Sequence, residues 1–260
     1  METEKLNLQS QNYLKKLCVE IGDRSVGSKG NRMASRFFEH ELSSLGWETE
    51  MQEFDAFDWY DGGAILKTDD STFDVFVSPY SLGCTVKAKL VHAYSLETLD
   101  GLNMSDKIVL LHGDIAKEQL MPKNFVFYNP DKHKRIIALL EQGGPKAIIC
   151  ATGRNAALAG GVYPFPLIED GDFDIPSVYM TEEEGKKLLP YVGKIAALNS
   201  ISDRVAGKGY NVIARKGNKS GKRIVITAHI DAKKGTPGAI DNATGVIVLY
   251  PVARGFKAAK

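Results

Sequence analysis

The segment Arg223-Ile224-Val225-Ile226-Thr227-Ala228-His229-Ile230-Asp231 runs from β-branched, apolar residues straight into an imidazole and a carboxylate. A near-continuous apolar run of this length, with polar turns on both sides, reads as a buried strand. His229 and Asp231 then stand at its exit. Side chains two positions apart in extended chain point the same way, so Asp231 can reach a ring nitrogen of His229, a common arrangement around metal-binding histidines. The residues from Lys233 to Ala239 include two glycines and a proline and read as a loop. That loop returns Asp241 towards the strand end, and Asn242 is placed to open a helix through Ala243 to Leu249. Taken alone, a His-x-Asp is most often a satisfied polar pair at a strand end.

The second motif, Pro237-Gly238-Ala239-Ile240-Asp241-Asn242-Ala243-Thr244-Gly245, narrows this reading. The two motifs in this order resemble the zinc aminopeptidase family that includes the bacterial leucyl aminopeptidases and glutamate carboxypeptidase. The resemblance implies that His229 is a zinc ligand, that Asp231 orients it as part of the catalytic apparatus, and that Asp241 bridges two zinc ions. It also implies a cis peptide bond between Asp241 and Asn242. The implied reaction is hydrolysis of N-terminal peptide bonds by a water activated between two metals, with a peptide as substrate.

The same resemblance implies further ligands later in the chain: a Glu-Glu pair that includes the general base, then an Asp and a His. Val246 to Lys260 contains no Asp, Glu, His or Cys. His40, His92, His112 and His133 have no paired-ligand spacing and read as surface or packing histidines. The chain therefore reads as C-terminally truncated relative to the family. The alternative is a catalytically inactive, shortened relative that acts as a protein-binding module. Pro251 and Gly255 predict a short, kinked last helix before Lys257-Ala258-Ala259-Lys260.

Around these motifs the composition is ordinary. The 260 residues are 43% hydrophobic and 25% charged with net charge +1, which leaves no field for nucleic acid or an anionic membrane. Cys18, Cys84 and Cys150 lack a Cys-x-x-Cys spacing and read as packing thiols. The N-terminus has no signal-peptide pattern and no apolar run is long enough to cross a membrane, so the expected location is cytoplasmic, or secreted if the true start is missing. Gly221-Lys222-Arg223 is followed by a strand rather than by Ser or Thr and a helix, so Lys216 to Lys222 is a hairpin turn and not a phosphate loop. No Gly-x-Ser-x-Gly elbow suggests a serine hydrolase.

Leu6 to Ile21 and Asn31 to Leu45 carry apolar residues at helical spacing, with a turn over Gly22 to Gly30 and Gly46 as a cap. Arg24-Ser25-Val26-Gly27-Ser28 adds a weaker resemblance to the peptidase N-terminal region. From about Phe76 to Val205 the pattern changes. Lys107 to Leu111 and Ala147 to Cys150 read as strands flanking a helix over Arg135 to Gln142, and Ile175 to Met180 precedes a helix opening at Thr181 with Glu184 in a capping-box position. This order resembles a protease-associated domain, through which protein contacts could run. Glu169 to Asp174 misses the calcium-loop spacing and reads as a solvated loop. The expected fold is α/β: a partial zinc-exopeptidase mixed-sheet domain with helices on its faces (residues 1–75 and 206–260), interrupted by a mainly β protease-associated-like insert (76–205).

Overall fold

The computed structural model describes residues 2–153, 165–217 and 221–256. Helices are α1 (Glu2–Lys15), α2 (Lys29–Ser44), α3 (Leu96–Asp100), α4 (Asp131–Gly143), α5 (Glu182–Leu188) and α6 (Thr244–Gly255). Strands are β1 (Glu48–Lys67), β2 (Thr72–Phe73), β3 (Phe76–Val77), β4 (Cys84–Ala93), β5 (Ile108–Leu111), β6 (Ala147–Thr152), β7 (Ser177–Thr181) and β8 (Ile195–Arg215). The chain is α/β and folds into two compact units, residues 59–205 and residues 1–58 with 206–260.

The 59–205 unit is built on a mixed sheet in which β4, β5, β6 and β7 run parallel, β3 pairs antiparallel with β7, and β8 pairs antiparallel with β4. The four residues of β5 and the six of β6 are all buried, as expected of strands covered on both faces. One face packs Val109, Leu111, Ile148 and Cys150 against Ile136 and Leu140 of α4. The other packs Ile108, Leu110, Ile149 and Val178 against Leu188. Thr181 caps α5, its hydroxyl accepting from the Glu184 amide at 3.1 Å. In the acidic run Asp172 and Asp174 are exposed, as read from the sequence, and Asp170 is not. Asp170 is buried and accepts from the Lys123 and Asp172 amides, and Asp174 pairs with Arg204 at 2.6 Å.

In the other unit, α1 continues into a π-helical turn over Lys16–Ile21. Ser28 caps α2 by accepting from the Asn31 amide at 3.0 Å, and Gly46 closes it at φ +75° while donating to Ser43. The core joins Leu17, Ala34, Ala243 and Val246, with Phe37, Phe38, Ala228 and Ile230 partly buried against it. The Tyr13 hydroxyl binds Glu41 and accepts from Gln9, which also donates to Tyr250, tying α1, α2 and α6 together. Burial, then the Glu41 carboxylate, drive the Tyr13 phenol far above its ordinary ionisation range.

Two expectations about the C-terminal part fail. Arg223 to Ala228 forms no strand, and Ile224, Val225 and Ile226 are 88%, 79% and 56% exposed. Burial requires strands on either side, and sequence-local preference cannot supply them. The last helix, expected through Leu249, runs on past Pro251 to Gly255. Its second half is anchored: Tyr250 and Ala253 are buried, Trp47 Nε1 donates to the Ala253 carbonyl at 3.1 Å, and the Arg254 guanidinium donates to Gln9. Such contacts offset the backbone bond that proline forfeits. Part of the proposed hairpin turn (218–220) and the tail residues 257–260 lie outside the described residues.

Candidate metal centre

The His229 ring lies between two carboxylates. Its Nδ1 is 3.2 Å from Asp231 Oδ1 and its Nε2 is 2.9 Å from Asp241 Oδ1. The local sequence explains the convergence. Ala228 and Ile230 turn into the core while His229 projects outward, the alternation of extended chain. The turn closed by the Thr236 amide on the Lys233 carbonyl at 3.1 Å then reverses direction. Asp241 and Asn242 are non-helical (φ −116°, ψ 89° and φ −140°, ψ 39°) and joined by a cis peptide bond, as the motif resemblance implies. Helix α6 starts immediately afterwards. Asn242 Oδ1 accepts from the Gly245 amide at 3.2 Å, which is the cap the sequence placed there. A Cβ at Gly245 would overlap that side chain.

A neutral imidazole has one N–H to offer these two carboxylates. With Nδ1–H donated to Asp231, the Nε2 lone pair faces the Asp241 carboxylate, so two acceptors oppose each other. A proton or a metal ion between them resolves that opposition. Two ligands each about 2.0–2.2 Å from a tetrahedral zinc stand about 3.3 Å apart, so the observed 2.9 Å needs to open by only a few tenths of an ångström. Among the described residues there is no group of three or more His, Cys, Asp or Glu side chains arranged to hold one. The side chains of His229, Asp231 and Asp241 are 52%, 41% and 88% exposed, so the centre is open to solvent.

Two features escaped the sequence reading. Arg24, fully buried, sends its guanidinium to the backbone beneath the centre. Its place in a glycine- and serine-rich turn carried no sign of this. In the 59–205 unit, His92 and His112 meet at the ends of β4 and β5, Nδ1 to Nε2 at 2.9 Å, with centroids 5.2 Å apart and planes within 4°. An imidazole nitrogen lies about 1.2 Å from its ring centroid, so these nitrogens meet head-on as an N–H···N bond rather than converging on a metal. Burial, then the charge of His92, lower the His112 pKa. The parallel register that sets His92 opposite Leu110 brings them together, a relation that their separation of 20 residues does not reveal. His133 is buried, its Nδ1 accepting from the Met121 amide at 3.2 Å, and His40 is exposed on α2.

Residues 211–260 match the model of Peptidase family M28. A comparison with curated protein sequences gave no match. Among solved structures, the chain is similar to an aminopeptidase from Aneurinibacillus sp. strain AM-1, with 24% identity and TM-score 0.68, over 94% of this chain and 57% of that one. It is also similar to BSAP, a zinc aminopeptidase from Bacillus subtilis, with 20% identity and TM-score 0.65, over 94% and 56% of the two chains. A Peptidase M28 precursor from Shewanella amazonensis SB2B aligns with 21% identity and TM-score 0.66, over 96% and 62%. The chain spans less than two thirds of the length of each. Its residues 211–260 thus carry the sequence pattern of Peptidase family M28, within a chain that shares the fold of these three structures.

Proposed function

We propose that this chain carries one part of the active centre of a zinc-dependent exopeptidase of aminopeptidase type. The observation that carries the reading is the His229 ring held between Asp231 and Asp241, 3.2 and 2.9 Å away on its two nitrogens. In this reading His229 and Asp241 are metal ligands and Asp231 is the group that sets the ring. Asp231 holds the proton at Nδ1 and so leaves the Nε2 lone pair for the metal. The Asp241 carboxylate, with two oxygens, would be shared between two metals. Bound zinc supplies Lewis-acid polarisation of a carbonyl and acidifies a coordinated water. A peptide is the substrate, and the solvent-open face of the centre gives it access.

Two firm protein ligands, against the three or four of complete zinc sites, mean that the 260-residue chain binds zinc weakly. Zinc should be stripped by dialysis, and His229→Ala or Asp241→Ala should abolish the residual binding in a calorimetric titration. Zinc retained in stoichiometric amount, or binding unchanged in both variants, would refute this account.

One observation favours a second reading, a binding module in which the 59–205 unit, as a protease-associated-like insert, contacts another protein. The loop Phe125-Val126-Phe127-Tyr128 exposes 43%, 84%, 89% and 66% of its residues, unusual for consecutive apolar side chains. Chelator-sensitive hydrolysis of an amino-acid anilide, lost in Asp241→Ala, separates the enzyme from the module.

A further inference from the structure

We infer that Arg24 is the positioning residue of the His229–Asp241 centre, fixing the separation of its two halves from beneath; this rests on the metal-ligand reading above. Arg24 is fully buried, and its bonds among the described residues go to backbone carbonyls. Nε donates to Ile230 at 3.0 Å. Nη1 reaches Leu17 at 2.7 Å, Pro237 at 2.9 Å and Gly22 at 3.3 Å, and Nη2 reaches Gly238 at 3.1 Å. Its own carbonyl accepts from the Ala232 amide at 3.3 Å and from Asn31 Nδ2 at 3.3 Å.

These partners are not scattered. Ile230 and Ala232 flank Asp231, and Pro237 and Gly238 lead into the turn that carries Asp241. One planar fork therefore grips the chain on both sides of residues 233–236, and its rigid geometry sets the distance across which His229 and Asp241 face each other. Lysine, a flexible point charge with three donors, cannot span the same carbonyls. Gly238 takes the complementary shape: at φ +52°, an added Cβ would lie 2.8 Å from Arg24 Nη2 and overlap Ala232. The Gly238 carbonyl in turn accepts from the Ala243 amide at 3.0 Å, so the clamp extends to the start of α6.

The test compares the full chain with Arg24→Lys, Gly238→Ala and the control Leu42→Ala, which empties a buried site on α2 away from the loop. Amide exchange of residues 230–243 and zinc affinity by chelator competition are read at a temperature where each protein is folded. The expected result is at least tenfold faster exchange at Ala232 and Ala243 and about tenfold or greater loss of zinc affinity in Arg24→Lys, with neither change in Leu42→Ala. Unchanged exchange in Arg24→Lys, or equal acceleration in Leu42→Ala, overturns the inference. If Arg24→Lys does not fold, Gly238→Ala decides: faster exchange and weaker zinc binding support the clamp, and wild-type values on both overturn it. If the wild-type chain takes up no zinc, the metal reading fails and amide exchange alone decides the role of Arg24.

Discussion

Replacing Asp231 with asparagine isolates the orienting role of one carboxylate, because the side chain is 41% exposed and its bond to His229 Nδ1 is 3.2 Å long. In the proposed metal-ligand reading this carboxylate, which only accepts, holds the proton on Nδ1 and leaves the Nε2 lone pair for the metal. Asparagine offers either an oxygen or an NH2 group to the same nitrogen, and the tautomer is no longer dictated. Losing such a partner typically weakens metal binding about 10- to 100-fold, equivalent to about 1.4–2.8 kcal/mol. The fold should barely respond, since exposed substitutions away from buried networks stay within about 0.5 kcal/mol. Chelator competition gives the zinc affinity and urea unfolding the stability, both on the same preparation. An affinity within twofold of wild type, or a loss of stability larger than the loss of binding, would refute the reasoning.

Leu17→Ala empties a fully buried position between α2 and α6 and should destabilise the protein by about 2–5 kcal/mol, read as a shifted urea midpoint. The His112 pKa is held below its reference of 6.5, by burial and then by His92. The unfolded chain therefore binds more protons as pH falls past about 6.5, and stability present above that pH is lost on acidification. His112→Gln should flatten that part of the stability profile, and an unchanged slope would refute the assignment. Burial pushes the Cys150 thiol far above its ordinary range, so a thiol reagent should leave Cys150 unmodified in the native protein and label it in urea.

Local chemistry made the polar ends of elements legible. Asn242 was readable as a cap because it stands directly before an apolar helical run, and Thr181 because Glu184 follows at the right distance. The apolar run at 223–228 was misread for the opposite reason: its β-branched residues state a preference for a sheet, but a sheet is made by partners distant in sequence. Ile224 and Val225 remain exposed here. The lengths of β1 and β8 were equally invisible, since both run through Gly, Asp and Lys positions that read as breaks. Pro251 was given its intrinsic cost and not the anchoring by Trp47 and Tyr250 that offsets it. At the candidate centre, His229, Asp231 and Asp241 stand out through the resemblance of their two motifs to a peptidase family, and the structure brings the three side chains together. Arg24 does not, because its partners are backbone carbonyls, three of them more than 200 residues away, which every residue possesses and no sequence advertises.

The most direct measurement of the central claim is nitrogen-15 NMR of the histidine rings during a zinc titration. The account predicts that His229 responds first, with Nε2 shifting to the coordinated range while Nδ1 keeps its proton, and that this response disappears in Asp241→Ala. A titration in which the His229 nitrogens stay unmoved while those of His92 and His112 shift would contradict it.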